Sequence, residues 1–218
     1  MQTHAEEIAL AEDPEAFLLF AVHPEYNSGV VGLAASRLTE RYYRPSIVGH
    51  RGETHTRASC RSIPEFHITE ALDRCADLLD RHGGHAAAAG FTVRNENLPE
   101  LTERLKTIAR EQLAGTDLRP TLQADIEIEL KDLHPEILRD LDALEPTGHQ
   151  NPAAVFVSRD VKVVQRRTVG REKAHLKLSV TDGRVTFDAI AFRKGPLYAG
   201  LPERVDLLYN FEVNEYNG

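Results

Sequence analysis

Residues 80–93 read DRHGGHAAAAGFTV. Two histidines bracket a glycine pair, four alanines follow, and a third glycine precedes an apolar alternation. Almost nothing in the stretch can reach a neighbour, so something must approach this backbone closely. Just upstream, HITEALDRCADLLDRH (67–82) sets Ile68, Leu72, Cys75 and Leu79 on one stripe, which predicts an amphipathic helix over 67–82 with Gly83 as its stop signal. Gly83 and Gly84 free the backbone for φ > 0 and close approach. Exposed N–H groups in such a turn form an anion-binding nest, to which His85 can add a hydrogen bond or a charge. A helix cap followed by a small-residue packing interface, with His85 bound to a carbonyl, fits the same letters.

Working outward, FLLFAVH (17–23) reads as a buried strand and GVVGLAASRLTERYY (29–43) as a helix. RPSIVGH (44–50) and THTRASCRSI (54–63) read as two further strands, AGFTV (89–93) as another, and LPELTERLKTIAREQLAG (98–115) as a closing helix. Strands alternating with helices predict a layered α/β domain with a mixed sheet over residues 17–115, behind an acidic helical lead-in at 1–16.

After AGTDLRP the pattern changes. LQADIEIEL (122–130) alternates as a strand, and a short helix is expected over 135–144. EPTGHQNPAAVF is a Gly/Pro/Asn-rich loop, and strand-like runs follow: VKVVQRRTV, AHLKLSV, VTFDAIAF and RVDLLYNFEVNEY. Asp182-Gly183 marks a hairpin. Residues 116–218 therefore form a mostly antiparallel β domain, a partly open barrel. Its last letters run into Asn217-Gly218, a turn pair with no returning strand, so the chain reads as stopping inside a hairpin. The unpaired edge this leaves would favour self-association.

Of 218 residues, 41% are hydrophobic and 28% charged, as in a soluble globular protein. No apolar run suffices to span a bilayer, and the acidic start is neither a secretory signal nor a transit peptide. Two cysteines, Cys60 and Cys75, suit a reducing cytoplasm. The net charge of −8 opposes general coating of nucleic acid but not a local basic groove. Basic residues do cluster, in Arg37–His67 with six arginines and in SRDVKVVQRRTVGREK (158–173), which suits a polyanion held at defined places.

Within the first cluster, Arg57, Ser59 and Arg61 alternate along an extended segment and share a face. A hydroxyl beside a guanidinium fork suits a phosphate, although strand arginines also serve ordinary ion pairs. EYNSGVVGLAASRL is a strand-to-helix turn whose N-terminus could take an anion or simply pack, with Arg37 and Arg41 on one face of the helix. Metal-ligand spacing is absent, since Cys60 and Cys75 have no CxxC partner and His82 with His85 lack further ligands. No nucleophile motif or phosphate-binding Walker loop appears.

GGHAAAAGF (83–91) resembles the GGHxxAAGF signature of the DHH-associated domain, the substrate-binding half of DHH-family phosphoesterases. Together with GVVGLAASRL, SCRSIP and EPTGHQNPAAVF, the chain from Phe17 to Gly218 is similar to the C-terminal half of the RecJ family of 5′→3′ single-strand-specific DNA exonucleases. The resemblance implies a role in DNA repair and recombination. It places the catalytic Asp and His residues, and the two Mn²⁺ or Mg²⁺ ions they bind, in a DHH domain not represented here, so no residue of this chain is expected to be catalytic or metal-binding.

It further implies that Gly83, Gly84 and His85 line a DNA groove, and that Ser59 and Arg61 hold the 5′-terminal phosphate. An OB-like domain would track single-stranded DNA through Arg166, Arg167 and Lys173. Two departures stand out: Tyr26-Asn27-Ser28-Gly29 replaces the family's Trp-His-x-Gly, and Thr147 stands where an aromatic is common. Two alternatives remain open, the binding half of a small-nucleotide phosphodiesterase and a non-catalytic adaptor that binds protein.

Overall fold

The computed structural model describes residues 1–11, 13–148 and 150–213. It divides into two compact units, Met1–Pro120 and Thr121–Gly218.

In the first unit, helix α1 (Gln2–Leu10) precedes strand β1 (Leu19–His23), helix α2 (Val31–Tyr42), β2 (Ser46–Arg51) and β3 (His55–Arg61). Then come α3 (Ile68–Asp73), β4 (Leu79–His85), β5 (Ala88–Arg94) and α4 (Leu98–Leu113). The five strands form one sheet in the order β1-β2-β3-β5-β4, with β1 and β2 parallel and the remaining pairs antiparallel. α2 buries Val31, Ala34, Ala35 and Leu38, the i, i+3, i+4, i+7 stripe of a helix that covers a sheet. With Ala5 and Ala9 of α1, that stripe packs on Leu19, Ala21 and Val48. The opposite side of the sheet, with Ile47, Ala58, Cys60, Ala89, Phe91 and Val93, carries the larger core, closed by α3 and by Leu101, Leu105, Ile108, Ala109 and Leu113 of α4.

The helix expected over 67–82 is cut to six residues. α3 ends at Asp73, a 3₁₀ turn spans Ala76–Leu78, and residues 79–85 form the edge strand β4. Gly83 therefore stops no helix, and the glycine pair lies in a β-ladder instead of a cap nest. Six residues paired with β5 outweigh a continued helix, in which two adjacent glycines would each cost about 1 kcal/mol. Gly84 also needs its lack of a side chain. With φ at +152°, a Cβ there would overlap the Ala88 carbonyl oxygen and the Ala89 Cα and lie 2.7 Å from the Ala89 Cβ. What comes so close to this backbone is the chain's own next strand.

In the second unit, β6 (Ile126–Glu127) and α5 (Pro135–Asp142) precede β7 (Phe156–Val169), β8 (His175–Thr181), β9 (Thr186–Ala191) and β10 (Arg204–Tyr209). The sheet runs β10-β7-β8-β9, with β6 beside β7, an OB-like half-barrel around Val161, Leu176, Leu178 and Val180. Of the strand expected over 122–130 only two residues pair. A bulge at Asp160 (φ 51°) bends β7 opposite β10, and Asp206 fastens it by accepting from the Asp160 N–H at 2.9 Å. The hairpin at Asp182-Gly183 is present but spans four residues, because the Asp182 carboxylate binds the N–H groups of Arg184 and Val185. The expected final strand continues into residues 214–218, outside the described residues.

Candidate functional site

One side of the first sheet is only half covered. Residues paired across antiparallel strands point to the same side, so β3, β5 and β4 present three rows there: Arg61–Ala88–His85, Ser59–Gly90–Gly83 and Arg57–Thr92–Arg81. α1 and α2 roof this side over β1 and β2, whereas along β5 and β4 its residues are exposed or half-buried. Rows are about 7 Å apart, two residues along a strand. The middle row has no side chain larger than a hydroxymethyl, and cationic or imidazole groups stand on both sides of it. The result is a low floor between raised edges, of one character across three strands.

Arg61 is held in place. Its Nε donates to Ser36 Oγ at 3.1 Å and its Nη1 to the Cys60 carbonyl at 2.8 Å, while Ser36 Oγ donates to the Gly32 carbonyl at 3.1 Å. Gly32 makes room for this arrangement. A Cβ there would lie 3.2 Å from Arg61 Nη2 and 3.6 Å from Ser59 Oγ. The first turn of α2 thus sits over Ser59 and Arg61, and its cap residue Val30 provides no side-chain hydrogen bond. The N–H groups of Val31 and Gly32, which have no partner among the described residues, come together with a guanidinium and a hydroxyl, which is the donor set of a phosphate site. Two stretches that the sequence offered separately, the Gly29/Gly32 turn and Ser-x-Arg, are one place in the fold. Ser36 is an addition, signalled only by its i+4 spacing from Gly32.

His85 closes the Arg61 row. The Ala86-Ala87 hairpin tip is clamped through its carbonyls: Thr69 Oγ1 donates to His85 O at 2.8 Å, Ile68 N to Ala86 O at 3.1 Å and Ser62 N to Ala87 O at 2.9 Å. The exposed His85 imidazole makes no hydrogen bond among the described residues, so a carbonyl does not satisfy it. His82 points to the other side of the sheet, where its Nε2 meets Asp73 at 2.7 Å. Burial pushes the Cys60 thiol up to about 12, and Cys75 is raised for the same reason; neither is a nucleophile at neutral pH. Among the described residues, no group of three or more His, Cys, Asp or Glu side chains is placed to hold a metal ion.

Other candidates do not join these rows. Arg37 pairs with Glu40 at 3.0 Å along α2. Arg166 and Arg167, adjacent on β7, point to opposite faces of the second sheet, as the two-residue period of a strand dictates. Arg166 donates to the Leu201 carbonyl at 2.5 Å and lies over the Tyr198 ring, 5.4 Å from its centroid. Arg167 is opposite Lys177, whose charge meets Asp188 at 3.0 Å. No single track contains both arginines.

Comparison with known proteins supplies the domain families. Residues 15–111 match the DHHA1 domain and residues 124–218 the RecJ OB domain. The chain carries the two domains of the RecJ C-terminal region. The single-stranded-DNA-specific exonuclease RecJ of Bacillus subtilis is 33% identical over 196 residues, covering 88% of this chain and 25% of that protein. The Thermus thermophilus RecJ is 31% identical over 212 residues, covering 94% of this chain and 29% of that protein. The crystal structure of the Thermus RecJ in complex with Mn²⁺ superposes with a TM-score of 0.78 at 28% identity, over all of this chain and 31% of that one. The crystal structure of the Thermus RecJ in complex with Mg²⁺ superposes with a TM-score of 0.73 at 28% identity. This chain therefore spans between a quarter and a third of these RecJ relatives. No helix among the described residues is long and apolar enough to cross a membrane.

Proposed function

We propose that this chain is the substrate-gripping part of a RecJ-type 5′→3′ single-stranded-DNA exonuclease. The observation that carries this is the convergence of Ser59, Arg61 and the α2 N-terminus at one edge of a floor kept clear by Gly90 and Gly83. A terminal phosphate, doubly charged and open on three oxygens, suits that donor set better than an internal phosphodiester, and so the site selects a 5′ end. His85 stands across the same row to meet the strand as it leaves the end site. In the second unit, Arg166 stacked on Tyr198 offers a base-stacking surface with a cation. The described residues do not fit a divalent metal, so no hydrolytic step is assigned to them. In the whole protein, metal-dependent phosphodiester cleavage would be supplied by the DHH domain of the family.

Fluorescence anisotropy with a short single strand tests the proposal. The expected result is salt-sensitive binding that favours a 5′-phosphate over a 5′-hydroxyl, with the preference lost in Arg61→Ala. Equal affinity for both ends in the unaltered chain would overturn it and favour a protein-binding adaptor.

A further inference from the structure

The third row of the open face leads into a pocket that the 5′-phosphate site does not use. It has a volume of about 690 Å³ and is lined by Ser28, His50, His55, Arg57, Arg81 and Thr92, with Glu53 and Asp80 on its wall. The pocket lies where the parallel strands β1 and β2 end and α2 begins, the place where open α/β sheets take ligands. Arg57 makes no hydrogen bond or ion pair among the described residues. Arg81 is steered by a single contact, Nε to Thr92 Oγ1 at 3.3 Å. His50, opposite Arg57 on β2, has a buried Nδ1 without a partner. Of the two carboxylates, Asp80 is already engaged by His55 at 3.4 Å and Arg94 at 3.7 Å. Two arginine forks thus face an open, polar space, with the His50 ring in its wall.

We infer that this pocket is a second anion subsite, which takes an internal phosphate of the strand whose 5′ end occupies the Ser59/Arg61 site. The inference rests on the proposed function for its ligand, not for its geometry. Arg57 and Arg61 are four residues apart on β3, about 13 Å. That Cα spacing suits two phosphates of a single strand separated by the Ser59–Gly90–Gly83 floor. Sugars and bases crossing the floor meet no bulky side chain. The two sites divide the work: Arg61 reads the end, while Arg57 and Arg81 require length. A mononucleotide can occupy only the first.

The test measures binding of thymidine 5′-monophosphate, of 5′-phosphorylated tetrathymidylate and of its 5′-hydroxyl form to the whole chain. Three versions are compared: unaltered, Arg61→Ala, and Arg57→Gln with Arg81→Gln. In the unaltered chain the phosphorylated tetramer should bind about ten-fold or more tighter than the mononucleotide. The Arg57/Arg81 variant should bring the two within about two-fold and lower the salt slope by about 0.7, the contribution of one single-strand phosphate, while keeping the 5′-phosphate preference. Arg61→Ala should do the reverse. Arg57→Lys with Arg81→Lys should restore part of the length effect, which a merely structural role would not predict. A length advantage that survives in the Gln variant overturns the second subsite and leaves the proposed function standing. Absence of any 5′-phosphate preference overturns the proposed function itself.

Discussion

Gly84 and Ala89 are paired across the β4–β5 ladder so closely that no side chain fits between them. Gly83, its neighbour, pairs with Gly90 and has nothing within 4 Å of where its Cβ would stand. Adjacent glycines therefore serve different ends, one for packing and one for an open surface. Gly84→Ala should destabilise the first unit by about 2 kcal/mol or more, through a positive φ and a backbone overlap. Gly83→Ala should leave stability within about 0.5 kcal/mol and weaken oligonucleotide binding by raising the floor. Urea unfolding of both variants, set beside anisotropy, separates the two roles. Equal loss of stability in both would contradict the assignment.

Gly32 makes a sharper case, because stability and function should move in opposite directions. Alanine in the first turn of α2 removes a glycine penalty of up to about 1 kcal/mol. Its Cβ would press on Arg61 Nη2 from 3.2 Å, and the guanidinium, as the far end of a flexible side chain, would give way. The expected variant melts at the same or a higher temperature and discriminates less between 5′-phosphate and 5′-hydroxyl ends. A variant with full discrimination would show that Arg61 is not positioned by this contact.

Acid should act first on the second unit. Arg204 holds Asp160 below the ordinary carboxylate range, backbone N–H groups do so for Asp182 and Asp206, and Ser179 with Lys177 does so for Asp188. A carboxylate with a lower pKa folded than unfolded contributes stability above its unfolded value of about 3.9. That contribution is lost as pH falls through the folded value. All four lie in the second unit, where Asp160 and Asp206 fasten the β7 bulge and Asp182 the β8–β9 hairpin, whereas Asp117, the carboxylate lowered in the first unit, pairs with Arg119 beyond α4 and fastens no strand. Hydrogen exchange between pH 5 and pH 3 should show β7, β8 and β10 losing protection before β2 and β3. Simultaneous loss in both units would contradict this.

Much of the first unit was legible because its periodicities are local: α2, α4, β1, β2, β3 and β5 all lie where their apolar patterns put them. β4 was hidden. Leu79 continues the stripe of Ile68, Leu72 and Cys75 in helical phase, and the turn that makes 79–85 a strand is Ala86-Ala87, without turn chemistry of its own. Bonds from Ser62, Ile68 and Thr69 hold that turn, and no local pattern announces them. Misreading β4 also concealed Arg81, which shares a face with Gly83 only in a strand. The opposed directions of Arg166 and Arg167 were readable from strand alternation alone. The meeting of Gly32, Ser36 and Arg61 was not, because it joins a helix to a strand more than twenty residues away.

The most direct measurement is amide chemical-shift mapping of the labelled chain titrated with a 5′-phosphorylated oligothymidylate. The expected shifts fall on Gly32, Ser59, Arg61 and Gly83–His85, with the Arg61 row responding to the end phosphate and collapsing when a 5′-hydroxyl strand replaces it. Shifts that avoid this face, or that are the same for both strands, would contradict the end-gripping account.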